Sequence, residues 1–301
     1  MNKVVIIGCG NVGMSYAYAL LNQKTNVQEL VLIDLNQDKI EGEAMDLNHC
    51  LAFSPTLMNI KAGTYDDCKS AKIVVIAAGA NQNPGETRMD LIHKNASIFK
   101  NIVESVMNCG FDGIFLVATN PLDVMTYLTQ KYSKLPYQKV IGSGTSLDTA
   151  RLHYMIGERL DVNPKNVEAY VIGEHGDSEF IPWSNASIAG QNINNFLLDE
   201  ELKEIEGNVR TAAYEIINKK GATYYGIGMC LVRITNAILN DENSILTVSS
   251  YDEKNNVYVG GPTIVGKEGA IKRIFVELNE NETTKLQKSI DIIKSAIKET
   301  D

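Results

Sequence analysis

Four short apolar runs constrain this chain more than any other feature: KVVIIG (3–8), ELVLID (29–34), KIVVIAAG (72–79) and IFLVATN (114–120). They are rich in β-branched residues, apolar without alternation, and closed by Gly, Asp or Asn. A strand that is apolar on both faces must be covered on both faces. The stretches between them, 12–23, 36–48 and 89–109, space their apolar residues as helices do. Strands alternating with helices in this way predict the α/β class, with a doubly wound parallel sheet.

Past residue 143 the pattern changes. Residues 147–160 read as a helix and VEAYVIG (167–173) as a strand. LDEELKEIEGNVRTAAYEIINKKG (198–221) is a long amphipathic helix, and its Lys-Lys-Gly ending is a good C-terminal signal. A second helix follows from about 223 to 239, then ILTVSSY, NVYVG and PTIVG as short strands with turns between them. NENETTKLQKSIDIIKSAIKE closes the chain as a helix with a charged outer face. No repeat and no Pro/Ser linker separates the halves, so the boundary falls near GSGTS (142–146), giving domains 1–143 and 144–301.

The 301 residues suit two domains with ample apolar surface to bury. A net charge of −9, with no Lys/Arg cluster, opposes binding to a phosphate backbone, so no nucleic-acid partner is expected. The apolar runs fall far short of the ~20 residues that span a bilayer, so no membrane association is expected. The first strand begins at residue 3 with no signal-like stretch before it, which predicts a cytoplasmic protein. Five scattered cysteines without CxxC pairing predict reduced thiols and no metal site.

GCGNVG (8–13) matches G-x-G-x-x-G, follows a strand directly and opens a helix. An acid, Asp34, ends the next strand. Gly8 permits the tight turn, Gly10 lets the backbone approach a pyrophosphate, and Gly13 packs helix on strand. The helix N-terminus then offers free N–H groups and the positive end of its dipole. Asp34 can accept both ribose hydroxyls and would repel a 2′-phosphate, which points to NAD rather than NADP. The competing reading is a plain tight turn beside an exposed acid.

Four histidines occur in the chain, and His175 in GEHGDSEF (173–180) lies between two glycines. LDTAR (147–151) places Asp148 and Arg151 on one helical face, as a solvated ion pair or as part of a site. Taken together these residues suit hydride transfer to a ketone. Histidine carries the proton near neutral pH, a buried carboxylate such as Asp148 fixes its tautomer, and Arg151 offers a planar fork to a substrate carboxylate. GANQNPGETRMDL (79–91) follows the third of these strands and reads as a lid. Arg88 on it can polarise a carbonyl, and Asn120 in ATNP can donate to the same oxygen. Thr223 opens a helix, either as a simple N-cap or as a substrate contact. Glu174 and Asp177 read as structural.

These motifs resemble the lactate/malate dehydrogenase family, in its L-lactate dehydrogenase branch. The likeness runs from GCGNVG through NPGETR, ATNP, IGSGT, LDTAR and GEHGD to KGATYYGIG (220–228). It implies a Rossmann-type NAD domain followed by a mixed α/β substrate domain. It implies reversible hydride transfer between NADH and pyruvate giving (S)-lactate, in glycolysis and fermentation. His175 would be the proton donor and acceptor, oriented by Asp148, with Arg151 as carboxylate clamp and Arg88 as the closing-loop arginine. Gln82, Asn120 and Thr223 would line the substrate site. Gly8, Gly10, Asn11, Val12, Gly13, Asp34, Lys39, Tyr65, Gly79, Ala80, Ala118, Asn120 and Ser143 would line the NAD groove. A homotetramer is implied as well.

Malate enzymes place an arginine where Gln82 stands. Burying the second carboxylate of oxaloacetate without a counter-charge costs several kcal/mol, so Gln82 should favour pyruvate by roughly a thousandfold or more. Larger apolar 2-oxo acids stay open, because a pocket discriminates weakly among them. Bacterial relatives activated by fructose 1,6-bisphosphate carry Arg where His153 stands and His where Glu168 stands. An acid facing a bisphosphate repels it, so weak activation or none is expected. A non-catalytic NAD-binding protein is the competing class, and the joint presence of His175, Asp148, Arg151, Arg88 and Asn120 argues against it.

Overall fold

The computed structural model describes residues 1–80 and 88–300, without the side chains of 88–90. Gln82 and the Arg88 side chain therefore lie outside the described residues. The first half supplies strands β1 (Lys3–Ile7), β2 (Glu29–Ile33), β3 (Asn59–Ala62), β4 (Ile73–Ile76), β5 (Ile114–Val117) and β6 (Val140–Gly142). Helices α1 (Asn11–Asn22), α2 (Gln37–Cys50), α3 (Arg88–Asn108) and α4 (Leu122–Ser133) alternate with them. These strands run parallel in the order β6-β5-β4-β1-β2-β3. The winding direction reverses between β1 and β4, where Val4 pairs with Ile73 and Ile7 with Ile76.

Side-chain alternation divides the sheet's apolar residues between two cores. Val4, Ile6, Leu30, Leu32, Val75 and Leu116 pack into one with Leu20 of α1. Val5, Ile7, Val31, Ile33, Val74 and Phe115 pack into the other with Phe99, Val103 and Leu128 of α3 and α4. Both faces being covered is the reason the runs in β1, β2, β4 and β5 are apolar without alternation. The predicted doubly wound parallel sheet is what forms.

The second half contributes α5 (Ser146–Leu160), β7 (Val167–Glu168), β8 (Ser187–Ile188), β9 (Gln191–Asn192), α6 (Asp199–Lys220) and α7 (Tyr225–Leu239). It ends with β10 (Ser244–Asp252), β11 (Val257–Gly266), β12 (Gly269–Arg273) and α8 (Glu280–Lys298). The antiparallel set β10, β11 and β12 extends the parallel sheet at its β6 edge, with Ser249 opposite Gly142. One sheet thus runs through both halves.

Several elements differ from the sequence reading. VEAYVIG forms a strand only at Val167–Glu168, inside a small sheet with β8 and β9. Ala169 and Val171 instead plug a separate core with Leu152 and Ile156, and Gly173 at φ +103° turns the chain away. NVYVG and PTIVG are one continuous strand, β11, not two. Pro262 is tolerated there because it sits just beyond the β12 ladder, which begins at Thr263, and contributes its carbonyl, which accepts the Ile274 N–H at 2.8 Å. NIKA (59–62) and GAIKR (269–273), short and mixed in character, are strands that periodicity does not reveal.

Candidate active site

The crevice above the β1 and β4 termini is built from backbone. Gly8 sits at φ +99°, and a Cβ there would lie 2.3 Å from the Ala78 nitrogen. A Cβ on Gly13 would lie 2.1 Å from the Gly8 carbonyl oxygen, so α1 can approach β1 only with glycine there. Around Gly10 nothing comes within 4 Å of a built Cβ, and no side chain caps α1. Its first N–H groups therefore remain open to a phosphate, as a dinucleotide requires.

Asp34 stands at the end of β2, accepting the Cys9 N–H at 2.7 Å and the Leu35 N–H at 2.8 Å. Lys39 reaches back to the Cys9 carbonyl oxygen at 2.7 Å, so both side chains face the turn. Gly10, Asn11 and Lys39 line a cleft of ≈ 520 Å³ whose far wall is Tyr224, Tyr225 and Met229. Tyr65 is half-buried close to Asp34. Beyond β4, a Cβ on Gly79 would strike Thr119, and the Ala80 N–H donates to Asn95 Oδ1 at 2.8 Å. Asn95 also donates to the Asn120 carbonyl at 3.0 Å, tying together the loops after β4 and β5. Ala118 and Ser143 follow β5 and β6, and the Ser143 N–H bonds the Val117 carbonyl. Asn95 was invisible in the sequence because a lone Asn in a helix carries no pattern.

His175, Asp148 and Arg151 converge. His175 Nδ1 lies 2.7 Å from Asp148 Oδ2, and Arg151 NH1 donates to Asp148 Oδ1 at 2.8 Å. Both carboxylate oxygens are thus engaged, in a side chain only 2% exposed. Burial opposes ionisation of Asp148, but the charges of His175 and Arg151 outweigh it and hold its pKa below the usual value. Burial likewise disfavours a charged His175; the Asp148 carboxylate overrides that and lifts the ring's pKa to about 9. The Asp148–Arg151 pair is therefore not a fully solvated one: Asp148 is buried and Arg151 half-buried beside His175.

Three further acids support the loop. Asp123, near the start of α4, accepts the His175 backbone N–H at 2.8 Å and the Ser249 hydroxyl at 2.5 Å. Burial raises its pKa to about 6. Glu174 accepts the Ser178 hydroxyl at 2.6 Å, while its own N–H is bonded by Ser289 of α8 at 2.5 Å. Asp177 accepts the Tyr214 hydroxyl at 3.0 Å. Glu179 is buried, and ligand-type atoms of Asp148, His175 and Glu179 lie within 4.8 Å of one another. Asp123 and Glu179 went unnoticed because chain acids are many and their burial is a tertiary property.

Asn120 is exposed at the β5 end, joined to Pro121 by a cis peptide bond. Thr223 lies in the short link between α6 and α7; the N-cap of α7 is Tyr224, so Thr223 is not the cap. The neighbouring residues do reach the site's helix, since a Cβ on Gly226 would touch Leu147 at 2.6 Å. His153 points its Nε2 at the Ala169 carbonyl, 2.8 Å away, and burial lowers its pKa. Glu168 is exposed and accepts the Ser187 hydroxyl. Burial pushes the thiols of Cys9, Cys68 and Cys230 up to about 12, consistent with inert reduced cysteines.

Residues 2–142 match the lactate/malate dehydrogenase NAD binding domain, and residues 145–301 match the lactate/malate dehydrogenase alpha/beta C-terminal domain. Those matches, with the open glycine crevice, define an NAD-dependent oxidoreductase. The chain belongs to the lactate/malate dehydrogenase family, as the motifs led us to expect. It is 52% identical to L-lactate dehydrogenase 2 of Bacillus cereus, over 99% of this chain and 98% of that one. Its fold is similar to that of a lactate dehydrogenase from a Medee basin deep-sea metagenome library, with 51% identity and a TM-score of 0.97, covering 99% of this chain and 98% of the other. It is equally similar in fold to the minor L-lactate dehydrogenase of Enterococcus mundtii in its ligands-bound form, with 43% identity, a TM-score of 0.97, and coverage of 100% and 98%. Among the described residues, no helix is long and apolar enough to cross a membrane.

Proposed function

We propose that this chain is an L-lactate dehydrogenase, reducing pyruvate to (S)-lactate and running the reaction in reverse. The observation that carries the reading is the His175–Asp148 contact of 2.7 Å beside a half-buried Arg151. Bound NADH supplies the hydride to the ketone carbon. His175, protonated and oriented by Asp148, gives its Nε2 proton to the carbonyl oxygen as negative charge develops there. Arg151 spends one N–H on Asp148 and keeps its other donors for the substrate carboxylate.

Arg88 closes over the carbonyl, Asn120 donates to it, and Thr223 meets the substrate carboxylate. Gln82 faces the methyl group. Gly8, Gly10, Asn11, Val12 and Gly13 hold the pyrophosphate, with Asp34 and Lys39 at the adenosine ribose side. Tyr65, Gly79, Ala80, Ala118 and Ser143 complete the groove. The division of labour falls at 143/144, the cofactor in the first part and proton transfer in the second. The family resemblance also implies a homotetramer. Regeneration of NAD in cytoplasmic fermentation is the corresponding role.

Steady-state oxidation of NADH with pyruvate, oxaloacetate and 2-oxoisocaproate tests the reading by kcat/KM. Pyruvate should exceed oxaloacetate by roughly a thousandfold. A preference for oxaloacetate would overturn the role of Gln82, and a preference for the branched acid would make this a broader 2-hydroxyacid dehydrogenase. With a depressed His153 and an exposed Glu168, millimolar fructose 1,6-bisphosphate should leave the pyruvate KM at neutral pH unchanged; a clear fall in KM would refute this.

A further inference from the structure

Glu179 has no part in the reaction as described, yet it is buried against the residues that do. The residue is only 6% exposed, four positions after His175. A turn closed by the Glu179 N–H on the Gly176 carbonyl, at 3.1 Å, brings the chain back beneath the histidine. There its carboxyl group comes within 4.8 Å of both a carboxylate oxygen of Asp148 and a ring nitrogen of His175. Asp148 already receives Arg151 on one oxygen and His175 on the other. Each carboxylate oxygen has a second lone-pair site, so a third donor can be accommodated.

We propose that Glu179 is a positioning residue: held as a neutral carboxylic acid, it donates a hydrogen bond to the Asp148 carboxylate and thereby sets the proton affinity of His175. This rests on the roles given above to Asp148 and His175. The local charges require it. Asp148 and Arg151 face the pocket from α5, His175 and Glu179 from their loop, Asp123 from α4, and the neutral Cys230 thiol from α7. If Asp148 and Glu179 were both ionised, two buried carboxylates would repel each other at close range. A proton between them turns that repulsion into a charge-assisted hydrogen bond. Burial first, and the Asp148 charge second, accordingly raise the Glu179 pKa far above the carboxylate range. Removing this donor concentrates negative charge on Asp148, which strengthens its hold on the imidazolium. Removing an ionised Glu179 would do the reverse.

Glu179→Gln keeps a neutral donor and Glu179→Leu removes it, so the two together read the protonation state. The full-length protein with NADH and pyruvate is assayed across pH. We expect E179Q to leave the midpoint of the alkaline fall in kcat/KM in place. We expect E179L to raise that midpoint by about half to one pH unit, the equivalent of one net hydrogen bond. Infrared difference spectra of wild type against E179Q should show a protonated carboxylic acid C=O stretch at neutral pH that the variant lacks. A downward shift in both variants, an unshifted profile in both, or absence of the acid band overturns the proposal. His175→Gln separates the two levels. If it reduces pyruvate as fast as wild type, the mechanism itself is wrong, while the infrared band still reports the Glu179 proton independently.

Discussion

His175 is a ring that its surroundings keep charged. Because its folded pKa is raised from 6.5 to about 9, two consequences share one sign. In the proposed reaction pyruvate reduction needs the imidazolium, so its kcat/KM should hold steady below neutrality and fall as pH rises through about 9; lactate oxidation should rise over the same range. The stabilisation from the charged ring is fully present below 6.5 and is lost as pH climbs through about 9. Denaturant titrations should therefore show the stability gap between wild type and His175→Gln widest in acid and closing above neutrality. A gap constant with pH would contradict the ion pair. In the proposed reaction, Arg151→Gln would leave both the substrate carboxylate and Asp148 short of a partner. Breaking a buried pair costs several kcal/mol, so kcat/KM should drop on the order of a hundredfold or more, and an unchanged value would remove Arg151 from the site. Gln82→Arg supplies a counter-charge for a second carboxylate and should raise kcat/KM for oxaloacetate relative to pyruvate; an unmoved ratio would place that loop residue elsewhere.

At the level of elements, the joint between β1 and α1 has no slack. Glycine inside a helix ordinarily weakens it, and replacement by alanine ordinarily helps. At Gly13 the sign inverts, because the added Cβ would sit 2.1 Å from the Gly8 carbonyl oxygen. Gly13→Ala should lower stability by about 1–3 kcal/mol, as overpacking does, and should raise the KM for NADH by displacing the helix N-terminus. A variant with native melting temperature and KM would show that the helix can shift freely. The last helix offers a second case. Asn279 and Glu282 form a capping box, Glu282 also holds Ser184, and Ser289 on the same helix holds the His175 loop through Glu174. Most of this element is legible as a charged amphipathic helix. Its attachment to the His175 loop is not, since a serine on a helix face carries no signal of its partner.

Over the whole molecule, the two halves are less separate than a division at 143/144 suggests. The sheet passes from β6 into β10, and Tyr16 of α1 bonds Thr235 of α7 across the halves at 2.6 Å, fully buried. Ile290 and Ile293 of α8 share a core with Phe99 of α3. Calorimetry should accordingly record one cooperative transition; two resolved transitions would mean that the shared sheet does not couple the halves.

The sequence alone determined the parallel sheet, because a strand buried on both faces must be apolar at every position. It determined the dinucleotide crevice, because only glycine fits where Gly8 and Gly13 stand and spacing suffices to place Asp34. It also singled out His175, Asp148 and Arg151, whose residue types match one chemistry. Tertiary structure decided what depends on neighbours distant in the chain: the antiparallel extension of the sheet, the continuity of β11 through Pro262, the burial of Asn95 between the loops after β4 and β5, and the burial of Asp123 and Glu179 beside the histidine. A carboxylate reads the same in a sequence whether water or another carboxylate surrounds it. Only the folded chain sets that environment, and with it the charge each group carries.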